Sequence, residues 1–257
     1  IIPLQGRIQN AIKFLQTFDD RAKEAGVATG DSRPLRESDI QVVRDGMRKM
    51  GKKTFTENFI RSQVTALITP GKAPMPVMKE YFISVEMIRQ HILTGVDFRG
   101  AGLVFQHLTR TLDQMLIECF DEVNPDRAKA SLNLNVETVF THSFQSLLEK
   151  SEKSLSSLVL EFRAENVLQN WDQFQTASEL ITQRGGTIAI DAIIPDSLGV
   201  LDLPRLGAKL AKIFWRPGAE TALPAMKETV HSLQQRGTVL VLARVDDEIA
   251  IKTGHAC

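Results

Sequence analysis

Residues 158–194, LVLEFRAENVLQNWDQFQTASELITQRGGTIAIDAII, admit few folds. They open on a short continuous apolar run and pass into a segment with apolar residues at helical spacing. They break at Gly185-Gly186 and close on a second apolar run. Two buried strands joined by a helix make a βαβ unit of a parallel sheet. The same alternation recurs on both sides. Strands are predicted over 130–136, 158–162, 187–191, 210–214 and 238–243, and helices over 144–150, 171–183, 201–206 and 223–235. A chain of 257 residues has the typical size of a single (β/α)8 barrel.

The start of the chain has a different grammar. Ile8, Ile12, Leu15 and Phe18 recur at helical spacing, and a loop with Gly26, Gly30, Asp31 and Pro34 ends that helix. Ile40, Val43 and Met47 form the stripe of a second helix, which Ser38 is placed to cap and Gly51 to end. Residues 1–57 therefore read as a helical extension packed on a barrel of residues 58–257. Residues 59–68 and 77–83, around a loop with three prolines, read as a β-hairpin, and 86–93 and 103–120 as helices.

Composition excludes several classes of function. Lys plus Arg and Asp plus Glu number 31 each, so no global field draws the chain to nucleic acid or an anionic membrane. Cys119 and Cys257 make neither a disulfide framework nor a zinc spacing, which fits a reducing cytoplasm. His91, His107, His142, His231 and His255 lie in different elements with no metal spacing. No nucleotide loop, dinucleotide fingerprint, nucleophile elbow or bilayer-spanning run is present. The chain begins at Ile1, so a membrane anchor outside it stays open.

In a barrel, strand residues alternate between the interior and the helix layer, and functional groups gather at the C-terminal strand ends. If Leu132 and Leu134 face the helices, Asn133 faces inward; by the same parity Asp191 and Lys212 face inward. Glu161 or Arg163, Arg244, and Gln63 and Glu80 from the hairpin complete a polar ring at one mouth.

These residues carry a family resemblance. Residues 131–135, SLNLN, resemble the S-V-N-L-S strand of EAL domains, the bacterial phosphodiesterases that hydrolyse cyclic di-GMP. Residues 158–164, LVLEFRA, resemble their L-x-L-E-I-T-E strand. GTIAIDA at 186–192, AKIF at 211–214 and VLVLARVDD at 239–247 resemble G-x-x-I-A-L-D-D, I-K-I-D and V-x-V-I-A-E-G-V-E. Glu80-Tyr81-Phe82 sits where the E-A-L motif belongs. The resemblance covers about residues 59–257. It implies an α/β, TIM-like (β/α)8 barrel with an antiparallel first strand and two divalent metals in the family's active site. It also implies an eighth strand beginning near Gly254, where the sequence stops, so a longer protein is expected.

Several positions depart from the family pattern. Glu80, Asn133 and Asp191 keep metal-ligand character and Lys212 keeps the family's lysine. Ala164, Ala192, Phe214 and Arg244 stand where acidic residues are expected, and Ser84 where the family has an arginine. Methyl groups hold no Mg²⁺, and an arginine stays protonated and serves as no general base. The resemblance with these losses implies an inactive domain with no metal or other cofactor. One expectation is a receptor for cyclic di-GMP or a related phosphorylated nucleotide in the bacterial cytoplasm, through Gln63, Glu80, Asn133, Arg163, Asp191, Lys212, Arg216 and Arg244. Trp215 and Tyr81 then offer stacking faces for guanine, with ordinary core packing between strand and helix the alternative for Trp215. Arg163 and Arg244 equally suit internal ion pairs with Glu161, Asp191 or Asp247. The alternative is a module that has lost the nucleotide and regulates a partner protein; the resemblance implies no nucleic-acid polymer as partner.

Overall fold

The computed structural model describes residues 32–151, 154–245 and 247–257, and the helix expected around residues 8–18 lies outside them. Seven strands form one curled sheet in sequence order: β1 (Ile60–Leu67), β2 (Met75–Ile83), β3 (Ala130–Asn133), β4 (Leu158–Arg163), β5 (Thr187–Ile193), β6 (Ala208–Phe214) and β7 (Val239–Ala243). Strands β1 and β2 pair antiparallel and every later neighbour pairs parallel. The βαβ expectation and the antiparallel first strand therefore hold. No eighth strand closes the sheet: among the described residues β1 and β7 are unpaired edges, and the sheet is a half-barrel.

Helices cover the outer face. They are α1 (Glu37–Met50), α2 (Lys52–Phe59), α3 (Val85–His91), α4 (Gly102–Glu118), α5 (His142–Lys150), α6 (Ala164–Gln169), α7 (Trp171–Gln183), α8 (Ala219–Ala225), α9 (Lys227–Gln235) and α10 (Glu248–Ala256). Ile40, Val43 and Met47 bury the inner stripe of α1 in the same core cluster as Leu108, Leu112 and Leu132. Arg44 reaches Gln114 on α4, and Arg33–Pro34 pairs with Val96–Asp97. No helix among the described residues is long and apolar enough to cross a membrane.

Four sequence expectations are corrected. Ser38 does not cap α1; the Asp39 carboxylate accepts the Arg36 backbone N–H at 2.9 Å and pairs with Arg33. Residues 201–206 form turns instead of a helix, because Pro204 donates no backbone hydrogen bond and Asp202 bonds locally to the Arg205 N–H. The helix expected over 223–235 is two helices, α8 and α9, parted at Met226 just after Pro224. The chain after β7 does not start a strand near Gly254: Asp247 accepts the Ala250 N–H at 2.8 Å and caps α10.

The turn before β5 shows two different demands on glycine. Gly185 lies at φ 77°, a left-handed conformation that costs other residues about 1–2 kcal/mol. At Gly186 a Cβ would meet Ile181 Cγ2 at 2.8 Å and the Ile181 carbonyl oxygen at 3.2 Å. Gly186→Ala is expected to destabilise by about 1–3 kcal/mol through overpacking, read as a lowered urea midpoint. An unchanged midpoint would show that α7 and β5 do not pack this tightly.

Candidate functional site

The inner face of the sheet is layered. Met78, Val159 and Ala189, with Leu210, form a small apolar cluster separate from the main core. Two residues further along the same strands stand Glu80, Glu161, Asp191 and Lys212, and beside them Asn133 on β3. Strand periodicity of two puts these side chains on the same inner face, one layer closer to the C-terminal ends. A further step of two brings Arg163 and Phe214. Gln63 lies directly opposite Glu80 in the hairpin register.

The polar layer is bonded together. Lys212 Nζ lies 2.7 Å from Glu80 Oε2 and 2.6 Å from Glu161 Oε2. Gln63 donates to Glu80 Oε2 at 2.6 Å, and Asn133 donates to Glu80 Oε1. Glu80 and Lys212 are 5% exposed, Glu161 1% and Asp191 9%, so this is a buried network rather than a solvated ring. The Glu161 Oε1 and Asp191 Oδ1 atoms are buried with no hydrogen-bond partner.

Burial and charge set the protonation states. Burial alone would raise Glu80, but the Lys212 charge and the hydrogen bonds from Lys212, Gln63 and Asn133 hold it below the usual carboxylate range. Burial pushes Glu161 up to about 7, with Lys212 opposing and Glu80 and Asp191 adding repulsion. Burial also raises Asp191. Burial disfavours the Lys212 ammonium, but Glu161, Asp191 and Glu80 more than compensate and keep it charged.

The sequence-predicted residues divide accordingly. Gln63, Glu80, Asn133, Asp191 and Lys212 come together. Glu161, read from sequence only as one of two choices with Arg163, is the second carboxylate on Lys212; both residues lie on the inner face, two positions apart. Arg163 is exposed and lies across from Asp191 in the β4–β5 register. Arg216 pairs at 3.4 Å with Asp196 in the turn after β5. Arg244 follows β7 and lays its guanidinium over the Phe214 ring, 4.7 Å from the centroid. Tyr81 is not available as a stacking face: it points to the helix layer, 7% exposed, edge-on to Phe120. Trp215 is half-buried, with its indole N–H 3.4 Å from Asp247.

Asp113 on α4 went unread in the sequence. It accepts the Asn135 backbone N–H and side-chain amide, both at 2.7 Å, and the Thr138 hydroxyl at 3.0 Å. It thereby pins the turn that follows Asn133. Nothing in its local pattern marks it, because all its partners are more than twenty residues away.

The donor set does not fit a pair of divalent cations. Both Glu80 oxygens and one of Glu161 are already hydrogen-bonded within the protein. Ala164, Ala192, Phe214 and Arg244 bring no carboxylate, and among the described residues no group of three or more acidic, His or Cys side chains is disposed to hold an ion.

Curled mixed sheet, antiparallel first pair and inward carboxylate–lysine centre together define an α/β domain with the EAL-type fold. Solved structures bear this out. The chain superposes on the S helix-GGDEF-EAL structure of Vibrio cholerae LapD bound to c-di-GMP with a TM-score of 0.60 and 14% identity, over 85% of this chain and 54% of that one. The Pseudomonas aeruginosa FimX EAL domain bound to c-di-GMP gives 0.57 and 12%, over 85% and 90%. Bacillus subtilis YkuI, with an EAL domain and in complex with c-di-GMP and calcium, gives 0.52 and 17%, over 79% and 54%. The chain thus spans about half the length of the LapD and YkuI chains, and at these identities the likeness establishes the fold. No protein-family model matches the sequence. No curated protein matches it either.

Two outcomes test the network. Lys212→Met leaves two carboxylates buried without their cation and is expected to destabilise by about 3–5 kcal/mol in urea unfolding. For Glu161, folding raises the pKa from an ordinary 4.5 to about 7, so the native state holds a proton that the unfolded chain has lost. Its contribution to stability therefore declines as pH rises from 4.5 to 7 and is level outside that window. Glu161→Gln is expected to flatten the pH dependence of the urea midpoint across that range; an unchanged slope would mean that Glu161 does not titrate there.

Proposed function

We propose that the chain is a non-hydrolytic EAL-type signalling domain that binds cyclic di-GMP, or a related phosphorylated nucleotide, without metal. One observation carries this reading. The Lys212 ammonium, held between Glu80 and Glu161, fills the carboxylate centre with a cation of the protein itself. The positions around it supply neither the missing metal ligands nor a general base, since a guanidinium at position 244 offers donors and no acceptor. Hydrolysis by two-metal activation of water has no machinery in this centre.

Ligand binding is supported by the rim. Arg163, Arg216 and Arg244 stand at or just beyond the C-terminal strand ends, and guanidinium groups take phosphate oxygens through paired N–H donors. Gln63, Glu80, Asn133, Asp191 and Lys212 lie beneath them as a rigid floor. LapD and FimX, which share the fold, were each solved bound to c-di-GMP, and this suggests the ligand class. Such a receptor would act in a bacterial cytoplasm and need no cofactor.

A second reading is favoured by a different surface. Val64, Leu67, Met75 and Val77 are exposed toward the turn end of the β1–β2 hairpin, beside the unpaired edge of β1. Exposed apolar side chains next to an open edge suit a partner protein.

Calorimetric titration of cyclic di-GMP separates the two. The receptor reading expects micromolar or tighter binding that is the same with and without Mg²⁺. It also expects a loss of at least tenfold on Arg163→Ala combined with Arg216→Ala, and no linear dinucleotide after incubation with Mg²⁺ or Mn²⁺. Absence of heat under all conditions sinks the receptor reading and leaves the partner module; appearance of linear product sinks the non-hydrolytic assignment.

A further inference from the structure

Arg244 differs from Lys212 and Arg216 in how it is held. Its backbone lies at φ 63°, a left-handed conformation uncommon for any residue but glycine, immediately after β7. Such strain persists only where the surroundings over-determine it. Here β6 and β7 remain paired up to Phe214 and Ala243, and the Trp215 N–H bonds the Ala243 carbonyl at 2.9 Å, so the chain is gripped on both sides of the turn. The side chain folds back over the neighbouring strand onto the Phe214 ring. Among the described residues Arg244 makes no ion pair or hydrogen bond, whereas Lys212 is buried between carboxylates and Arg216 pairs with Asp196.

A guanidinium is planar and offers two kinds of surface. Its edge carries the N–H donors that fit phosphate; its faces stack on π-systems. Phe214 covers one face of Arg244. The residue as a whole is exposed, so its side chain is within reach of a ligand at the mouth. Phe214 also sits two residues beyond Lys212 on the same strand, one layer closer to the mouth. We infer that Phe214 and Arg244 form a platform on which a purine base of the ligand stacks, as the third layer over ring and guanidinium. Arg244 is then a specificity residue that reads the base, while phosphate falls to Arg163 and Arg216. Trp215 does not compete for this role, since its indole is turned to Asp247. The inference rests on the receptor reading above.

The test is calorimetry with two ligands of equal charge, cyclic di-GMP and a cyclic dinucleotide with pyrimidine bases, against the native chain, Arg244→Lys and Phe214→Leu. Lysine keeps the charge and loses the plane. The native chain is expected to bind the purine ligand roughly tenfold more tightly than the pyrimidine ligand. Arg244→Lys is expected to lose roughly tenfold for the purine ligand and little for the other, with Phe214→Leu losing in the same direction. Arg244 is exposed, so Arg244→Lys should keep the native circular dichroism spectrum. Equal binding of cyclic di-GMP by the native chain and Arg244→Lys overturns the stacking platform and leaves the receptor reading standing. No binding by the native chain overturns both.

Discussion

The ammonium of Lys212, buried between Glu80 and Glu161, ties together β2, β4 and β6, which are not neighbours in the sheet. Its partners lie 132 and 51 residues away in sequence, on β2 and β4, so one side chain spans the curl of the half-barrel. Taking three charges out of water costs several kcal/mol per ion, and only close geometry with further hydrogen bonds offsets it. Glu80 has that support from Gln63 and Asn133. Glu161 does not: its second oxygen is unpartnered. The centre is therefore asymmetric, with one carboxylate held ionised and another driven toward its neutral form.

That asymmetry follows from the layers. The Met78, Val159, Ala189 and Leu210 cluster lies below the charged layer, and Phe214 stands one layer beyond Lys212 on the same strand. Between two apolar layers a single cation faces Glu80, Glu161 and Asp191, which is one positive charge against three potential negatives. Burial with too little compensating positive charge raises both Glu161 and Asp191.

Much of this was legible in the sequence because strand parity is local. Once Leu132 is assigned to the helix layer, Asn133 must face inward, and the same reasoning turned Asp191 and Lys212 inward without any knowledge of pairing. The βαβ order was legible for a similar reason: Gly185-Gly186 and the apolar runs beside it are short-range signals. What could not be read depends on distance or on competition. The Lys212–Glu80 contact needs the register of four intervening strand pairs. In residues 158–163 every position but the last is buried, so apolar alternation gave no parity and Glu161 and Arg163 could not be told apart. Tyr81 was placed at the mouth by motif, yet its neighbour Glu80 faces inward, so Tyr81 must face the helices. The last helix was hidden because motif likeness carried the reading past Asp247, where a simple N-cap ends the extended chain.

The side chains at the rim act together rather than singly. Ala164, Ala192 and Phe214 add no negative charge to the centre, and Arg244 brings positive charge to its rim. A phenylalanine at 214 then becomes useful to that arginine, because an exposed guanidinium gains from an aromatic face beneath it. With Lys212 held by carboxylates, the centre carries a cation of its own, and Arg244 at the rim has the aromatic support of Phe214.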